Sequence, residues 1–271
     1  MTSGEEWQGR VGQNWAGSHQ ATDRAFRGIT AELVKTIDTL PGRVMLDIGC
    51  GAGELALALI RRRPDAVMTG VDISPDLIAS ARARAGDDAR CRFAVSDVLD
   101  WQPDRAPDLL VSRHGVMFFD DPVRTFSHLH SIAAPGASLA FTCFRDLADN
   151  PWATEPSRAV GRAMSVADGY APGPFGFRDR DWTAAMLAAA GWRDITMRRA
   201  DTAFIAGEGD EAVDQATAFF ARIGPAAAAL AAMAPEPRAD GLAALRRAVA
   251  AMNKSGRVAP AASIWVVSAT R

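Results

Sequence analysis

Residues 44–53 read VMLDIGCGAG, and the two halves of that stretch carry different instructions. Val44, Met45, Leu46 and Ile48 form an apolar run between Pro41-Gly42 and the glycines 49, 51 and 53, the pattern of a strand buried on both faces. The glycines accept backbone angles that other residues resist and let a ligand approach the main chain. Residues 54–63, ELALALIRRR, then read as a helix whose N-terminal amides face the turn. A nucleotide-like ligand is expected there, and the spacing narrows its kind. A dinucleotide fingerprint, G-x-G-x-x-G, needs its third glycine where Glu54 stands; Gly53 comes one position early. Asp47, inside the motif, opposes a phosphorylated ligand and suits a cationic one.

Downstream, TGVDIS at 69–74 reads as a second strand ending in Asp72 and Ile73. An acidic residue roughly 20 positions after the glycine turn is placed to take ribose hydroxyls, a contact that nicotinamide and adenosyl ligands both require. A third apolar run, FAVSDVLDW at 93–101, contains Asp97 and Val98, and a fourth, PDLLVSRHGVMFFDDP at 107–122, runs from a strand into a loop with an apolar tip. Helices are expected over 21–39, over 75–85 with Ser74 as N-cap and Pro75 in first position, over 123–133 and over 179–190. Strands follow at 137–144, 194–204 and 263–269. This alternation predicts an α/β fold, a mostly parallel seven-stranded sheet flanked by helices. Residues 145–179, with four prolines and one short helical run around 157–167, read as an irregular insertion of the kind that walls substrate sites. Residues 210–252 hold two helices, 211–223 and 238–251, on either side of an Ala- and Pro-rich stretch.

These segments resemble the class I S-adenosylmethionine-dependent methyltransferases. VMLDIGCGAG is similar to their first motif, GVDIS to their second and SDVLDW to their adenine-contacting acidic loop. The N-terminal WQGRVGQNWAGSHQATDRAF, the loop SRHGVMFFDDP, the turn NPW and the ending APAASIWVVSA resemble a bacterial subgroup near the ubiquinone and menaquinone biosynthesis methyltransferases. The resemblance implies a Rossmann-like methyltransferase fold over 1–271, with a cofactor core at 40–144. It also implies cap or lid insertions at 145–180 and 205–255, and a helical segment at 1–39 that covers the pocket. S-adenosylmethionine is the implied cofactor, held by Asp47, Gly49, Cys50, Gly51, Gly53, Asp72, Ile73, Asp97, Val98, Arg113 and Trp15. Asp47 would face its methionine end, Asp72 its ribose, and Asp97 with Val98 its adenine.

Composition agrees with an expectation of a soluble intracellular enzyme. The 271 residues are 48% hydrophobic, enough for one large core, and the net charge of −2 supplies no basic field for nucleic acid. No apolar run approaches the roughly 20 residues of a membrane span, and residues 1–10 show no cationic-then-apolar leader, so a cytoplasmic protein is expected. Cys50, Cys91 and Cys143 are odd in number and lie in or beside strands, which favours buried free thiols; no metal site is expected. The helical excursion at 210–252 reads either as more of the cap or as a homodimer surface.

Chemistry at the acceptor is less constrained. His114 stands at the carboxyl end of the fourth strand, where open α/β sheets hold ligands, and could take a proton there as general base. His19, in the N-terminal segment, is a second candidate. Met117, Phe118 and Trp152, with the Pro-rich insertion, give the acceptor site an apolar or aromatic character. Two other functions fit the motifs: an adenosyl-ligand-binding protein without catalysis, and a methyltransferase acting on protein or RNA. The second would call for a basic patch, which the sequence lacks. A nicotinamide oxidoreductase is disfavoured by the glycine spacing and by a lone tyrosine, Tyr170, without a Tyr-x-x-x-Lys pair.

Overall fold

A computed structural model describes residues 4–271; the first three residues of the expected pocket-covering segment lie outside them. Two short helices, α1 (Gly4–Gln8) and α2 (Arg10–Ala16), lead into α3 (His19–Ile37). The apolar residues of α3 recur at helical spacing, and Ala25, Phe26, Ile29, Leu33 and Ile37 are buried along one face. There follow β1 (Val44–Ile48), α4 (Glu54–Arg62), β2 (Val67–Asp72), α5 (Pro75–Ala85), β3 (Cys91–Val95) and β4 (Leu109–Arg113). Next come α6 (Pro122–Ile132), β5 (Ser138–Phe144), α7 (Pro151–Ala159), α8 (Arg180–Ala189) and β6 (Arg193–Ala203). The chain ends with β7 (Gly207–Glu208), α9 (Ala212–Arg222), α10 (Pro225–Ala231), α11 (Pro235–Met252), β8 (Arg257–Val258) and β9 (Ala261–Thr270).

Seven strands form one sheet in the order β3-β2-β1-β4-β5-β9-β6. The first five run parallel, and β9 inserts antiparallel to both β5 and β6. Every residue of β5 is buried, whereas β6, at the edge, is mostly exposed. From β1 the chain moves outward through β2 and β3, then returns to lay β4 on the other side, pairing Asp47 with Val111. That reversal opens a crevice beyond the carboxyl ends of β1 and β4, where ligands bind in open α/β sheets.

Local signals explain most boundaries. The Ser74 hydroxyl accepts from the Leu77 amide and caps α5, with Pro75 in the first helical position. Three expectations shift. The third run stops being strand at Val95; beyond it Asp97 Oδ1 accepts from the Leu99 amide and turns the chain. The helical run expected around 157–167 is instead α7, earlier in sequence, because Pro151 starts the helix and Pro156 is accommodated inside it at the loss of one backbone donor. Residues 205–255 contain a third helix, α10, in the Ala- and Pro-rich stretch, and a separate two-stranded ribbon of β7 and β8. Cys50 and Cys143 are buried, Cys91 is half-buried, and all three thiols are free. Among the described residues no helix is long and apolar enough to cross a membrane, and no cluster of His, Cys, Asp or Glu could hold a metal ion.

Candidate ligand cavity at the β1–β4 crevice

A cavity of about 420 Å³ occupies the crevice, within the range of small-molecule sites. Its floor is the glycine turn after β1. Gly49 and Gly51 hold left-handed φ values of 62° and 54°. A Cβ on Gly51 would meet nothing within 4 Å, so this turn presents bare main chain to open space. Gly49 meets the β4 loop: a Cβ on Gly115 would lie 2.8 Å from Gly49 Cα and 2.6 Å from the Ile48 oxygen. Gly53 does another job. It starts α4 with φ 79°, a Cβ there would press on Ala81 and the Phe93 ring, and it does not line the cavity.

Asp47, Asp72 and Asp97 are carboxylates of the cavity wall. Asp72 Oδ2 accepts from the Gly51 amide at 2.9 Å and Oδ1 from the Ser74 amide at 2.9 Å, while burial raises its pKa above the ordinary value. Asp47 is 1% exposed, and its Oδ2 has no hydrogen-bond partner. Burial pushes its carboxyl up to about 8 against the opposing pull of Arg113. Asp97 lines the far wall with Ser96, Val98 and Leu99. Arg113 Nη1 donates to Glu54 Oε2 at 2.7 Å and to Thr30 Oγ1 at 3.1 Å, and its guanidinium carbon lies 5.2 Å from the centre of the Phe26 ring. Its charge is therefore engaged at the cavity edge.

The other end of the cavity is aromatic. Phe26, Phe118, Phe119, Phe144, Trp152 and Phe204 line it with Met117. Trp7 and Trp15 close over this end from α1 and α2, their rings 5.6 Å apart and Trp7 edge-on to Phe118 at 5.2 Å. Close approach holds α2 there, since a Cβ on Gly12 would lie 2.3 Å from Ser74 Oγ. His19 sits at the start of α3 with Nδ1 2.9 Å from the Ala16 oxygen. His114 is buried with a left-handed φ of 64°, its Nδ1 3.1 Å from the Thr142 oxygen and its Nε2 unpartnered. Burial, reinforced by Arg113, lowers its pKa to about 3, well below that of an unperturbed imidazole.

The fold thus gathers into one cavity every candidate residue read from the sequence except Gly53. Other wall residues were not singled out by the sequence. Phe144 ends a strand at the ligand side of the sheet and could have been found on that ground. Phe26, Phe204, Ile223, Gly224 and Pro225 look like ordinary core or loop positions, and only the tertiary fold brings them to the wall.

Residues 45–136 match the family described as "Methyltransferase domain". The chain is 33% identical over 141 residues to trans-aconitate 2-methyltransferase of Methylobacterium radiotolerans, covering 52% of this chain and 51% of that protein. It is 33% identical over 100 residues to malonyl-[acyl-carrier protein] O-methyltransferase 1 of Ilyobacter polytropus, covering 37% of each. The chain spans about half or less of the length of these curated relatives. Among solved structures, it superposes on phosphoethanolamine N-methyltransferase 2 of Haemonchus contortus with a TM-score of 0.60 at 16% identity, covering all of this chain and 60% of the other. The fold is the Rossmann-like methyltransferase fold, and the matched residues are similar to that domain family.

Proposed function

We propose that this protein is an S-adenosylmethionine-dependent methyltransferase whose acceptor is a small apolar or aromatic molecule. The observation that carries the reading is the pairing of a bare Gly51 turn, tied to Asp72, with the unpartnered Oδ2 of Asp47, both opening onto an aromatic chamber.

The residues present fit the adenosyl group. Open space over Gly51 admits a ligand against the main chain, Asp72 offers its remaining lone pairs to ribose hydroxyls, and Asp97 with Val98 stands where the adenine would lie. Asp47 Oδ2, buried without a donor, has the vacancy that an ammonium group requires, and the ammonium in turn would favour its ionised form. When bound, the cofactor supplies an electrophilic methyl group on a positively charged sulfur. The chain contributes position and dryness. Positioned reactants can gain about 7–11 kcal/mol from orientation and avoided solvent reorganisation, which suits a site with no strong base. Trp7, Trp15 and Phe118 exclude water from the acceptor end.

The relatives named for trans-aconitate and malonyl groups act on acids, for which a free cation at the acceptor end would be expected. Here Arg113, beside the aromatic rings, is already held by Glu54 and Thr30, and Arg124, the other arginine of the wall, stands among Asp120 and Asp121, so the support for an uncharged acceptor comes from the aromatic lining. Calorimetric titration with S-adenosylmethionine, S-adenosylhomocysteine and NADH tests the reading. Micromolar binding of both adenosyl ligands and none of NADH is expected, followed by methyl uptake in a screen of phenols, quinone precursors and amines. Absence of adenosyl binding to folded protein would overturn it.

A further inference from the structure

At the aromatic end of the cavity the ring of His114 is left half-satisfied. Nδ1 lies 3.1 Å from the Thr142 carbonyl oxygen, and a carbonyl can only accept, so Nδ1 carries the hydrogen. The neutral ring then holds a lone pair at Nε2, an atom that is buried and has no partner in the protein. The ring cannot easily turn to find one. It stacks on Phe144 at 4.1 Å and 23°, and meets Phe26 edge to face at 5.5 Å and 73°. The backbone is fixed as well, at a φ of 64° that a residue other than glycine seldom adopts. Burial and the Arg113 charge keep the imidazole neutral through the physiological range, so that Nδ1 donates and Nε2 stays an acceptor.

We propose that Nε2 of His114 selects the methyl acceptor by accepting a hydrogen bond from its hydroxyl, and that the acceptor is a neutral hydroxyarene. Its ring packs among Phe26, Met117, Phe118 and Phe144, all of which line the cavity beside His114. This inference rests on the methyltransferase reading above and names the substrate class of that site. A hydroxyl satisfies the lone pair and retains its own lone pairs to face the methyl donor; as the O–C bond forms, the hydroxyl proton would pass along this hydrogen bond to Nε2 and from there to solvent, because a protonated aryl ether is far more acidic than the His114 imidazolium. A carboxylate has no hydrogen to give Nε2 and would bring an unpaired charge among apolar rings. A plain arene fills the space but leaves Nε2 orphaned, the situation in which sites built for a hydrogen bond discriminate best.

The test uses the full-length protein saturated with S-adenosylhomocysteine, whose binding is first measured by calorimetry. 2-Naphthol, 2-methylnaphthalene and 2-naphthoate are then titrated at pH 7. 2-Naphthol should bind about tenfold tighter than 2-methylnaphthalene, with 2-naphthoate weakest. In protein with ¹⁵N-labelled histidine, the Nε2 resonance of His114 should move on addition of 2-naphthol and stay put with 2-methylnaphthalene. His114→Asn, chosen because asparagine tolerates a left-handed φ, should bring the two neutral ligands to equal affinity. Should that variant fail to fold, the resonance shift in the wild-type protein decides alone. Equal binding of naphthol and methylnaphthalene by the wild type, preference for naphthoate, or an unmoved Nε2 signal with naphthol bound would overturn the proposal. If S-adenosylhomocysteine does not bind, the methyltransferase reading fails and this proposal with it. If it binds and the naphthol discrimination is absent, this proposal alone fails.

Discussion

Asp72 Oδ2 accepts the backbone N–H of Gly51 at 2.9 Å, so the carboxylate at the end of β2 is bonded directly to the glycine turn at the end of β1. Its second oxygen accepts from the Ser74 amide at 2.9 Å, at the entrance to α5. One side chain therefore fixes the two strand ends that bound the glycine-turn end of the cavity.

Asp72→Ala should remove ribose recognition and loosen the turn together. Loss of charge-assisted hydrogen bonds worth about 1.5–3 kcal/mol each predicts a fall of about 100-fold or more in S-adenosylhomocysteine affinity. The two orphaned amides predict a stability loss of about 1–3 kcal/mol, readable by chemical denaturation. Unchanged affinity in folded Asp72→Ala protein would remove Asp72 from the cofactor site.

Asp47 gives the site a pH dependence with a definite sign. Its folded pKa, about 8, lies above its unfolded value, so the folded state binds the proton more tightly. The stability this group contributes is full below the unfolded pKa and is lost as pH rises through about 8. The ligand-free protein should lose stability from Asp47 between about pH 4 and pH 8, and Asp47→Asn should flatten that slope. An ammonium-bearing ligand needs the ionised carboxylate. Its affinity should therefore climb up to about tenfold per pH unit below pH 8 and level off above, with proton release visible as a buffer-dependent heat. A pH-independent affinity would show that Asp47 is not the partner of the ligand's cation.

Much of this arrangement is legible in the chain because it rests on local chemistry. β1 is announced by an apolar run between Pro41-Gly42 and the glycine turn, α5 by Ser74-Pro75, and the acidic end of β2 by its distance from Gly51. Long-range geometry decides what local reading misses. Gly53 belongs to the glycine motif, yet the approach of Ala81 and Phe93 makes it a packing residue. The helix α7 contains Pro156, which local rules read as a breaker, and its entry is held by Asn150. Asn150 Oδ1 accepts from the Ser263 amide at 2.9 Å and the Trp152 indole at 3.0 Å, across more than a hundred residues of sequence in the first case. The unpartnered state of His114 Nε2 depends on Thr142, Phe26 and Phe144 at once, and no spacing in the sequence encodes that.

The contact between Gly49 and Gly115 predicts an intolerant position outside the recognisable motif. A methyl group on Gly115 would sit 2.6 Å from the Ile48 oxygen and 2.8 Å from Gly49 Cα, both backbone atoms that cannot step aside. Gly115→Ala should cost about 1–3 kcal/mol of stability and weaken adenosyl binding by displacing the turn. Gly136→Ala is the contrasting control: that glycine, unlike Gly115, has a positive φ of 74°, but a Cβ there meets nothing within 4 Å. It should show only the cost of its backbone angle and leave ligand affinity alone. Equal effects on ligand affinity would mean that the Gly49 contact has no part in shaping the floor.

Trp152 and Trp7 both belong to the aromatic end, and their surroundings predict opposite consequences. Trp152 is 6% exposed, stacks on Phe204 at 4.7 Å and 6°, lies 4.7 Å from Phe144 and donates its indole N–H to Asn150. Removing it empties a cluster that joins α7 to the end of β6, so Trp152→Ala should cost about 3–5 kcal/mol and lower Tm by roughly 10 °C. Trp7 is half-buried on the five-residue α1, where it meets Trp15 and Phe118, and it reaches the sheet-bound rings only indirectly, Trp15 lying 6.2 Å from Phe26. Trp7→Ala should therefore leave Tm nearly unchanged while weakening acceptor binding several-fold, because water then enters from the side that α1 covers. Thermal denaturation beside equilibrium binding of 2-naphthol separates the two. Should Trp7→Ala lower Tm as much as Trp152→Ala with no change in binding, the N-terminal helices are part of the core and the closure they provide is incidental.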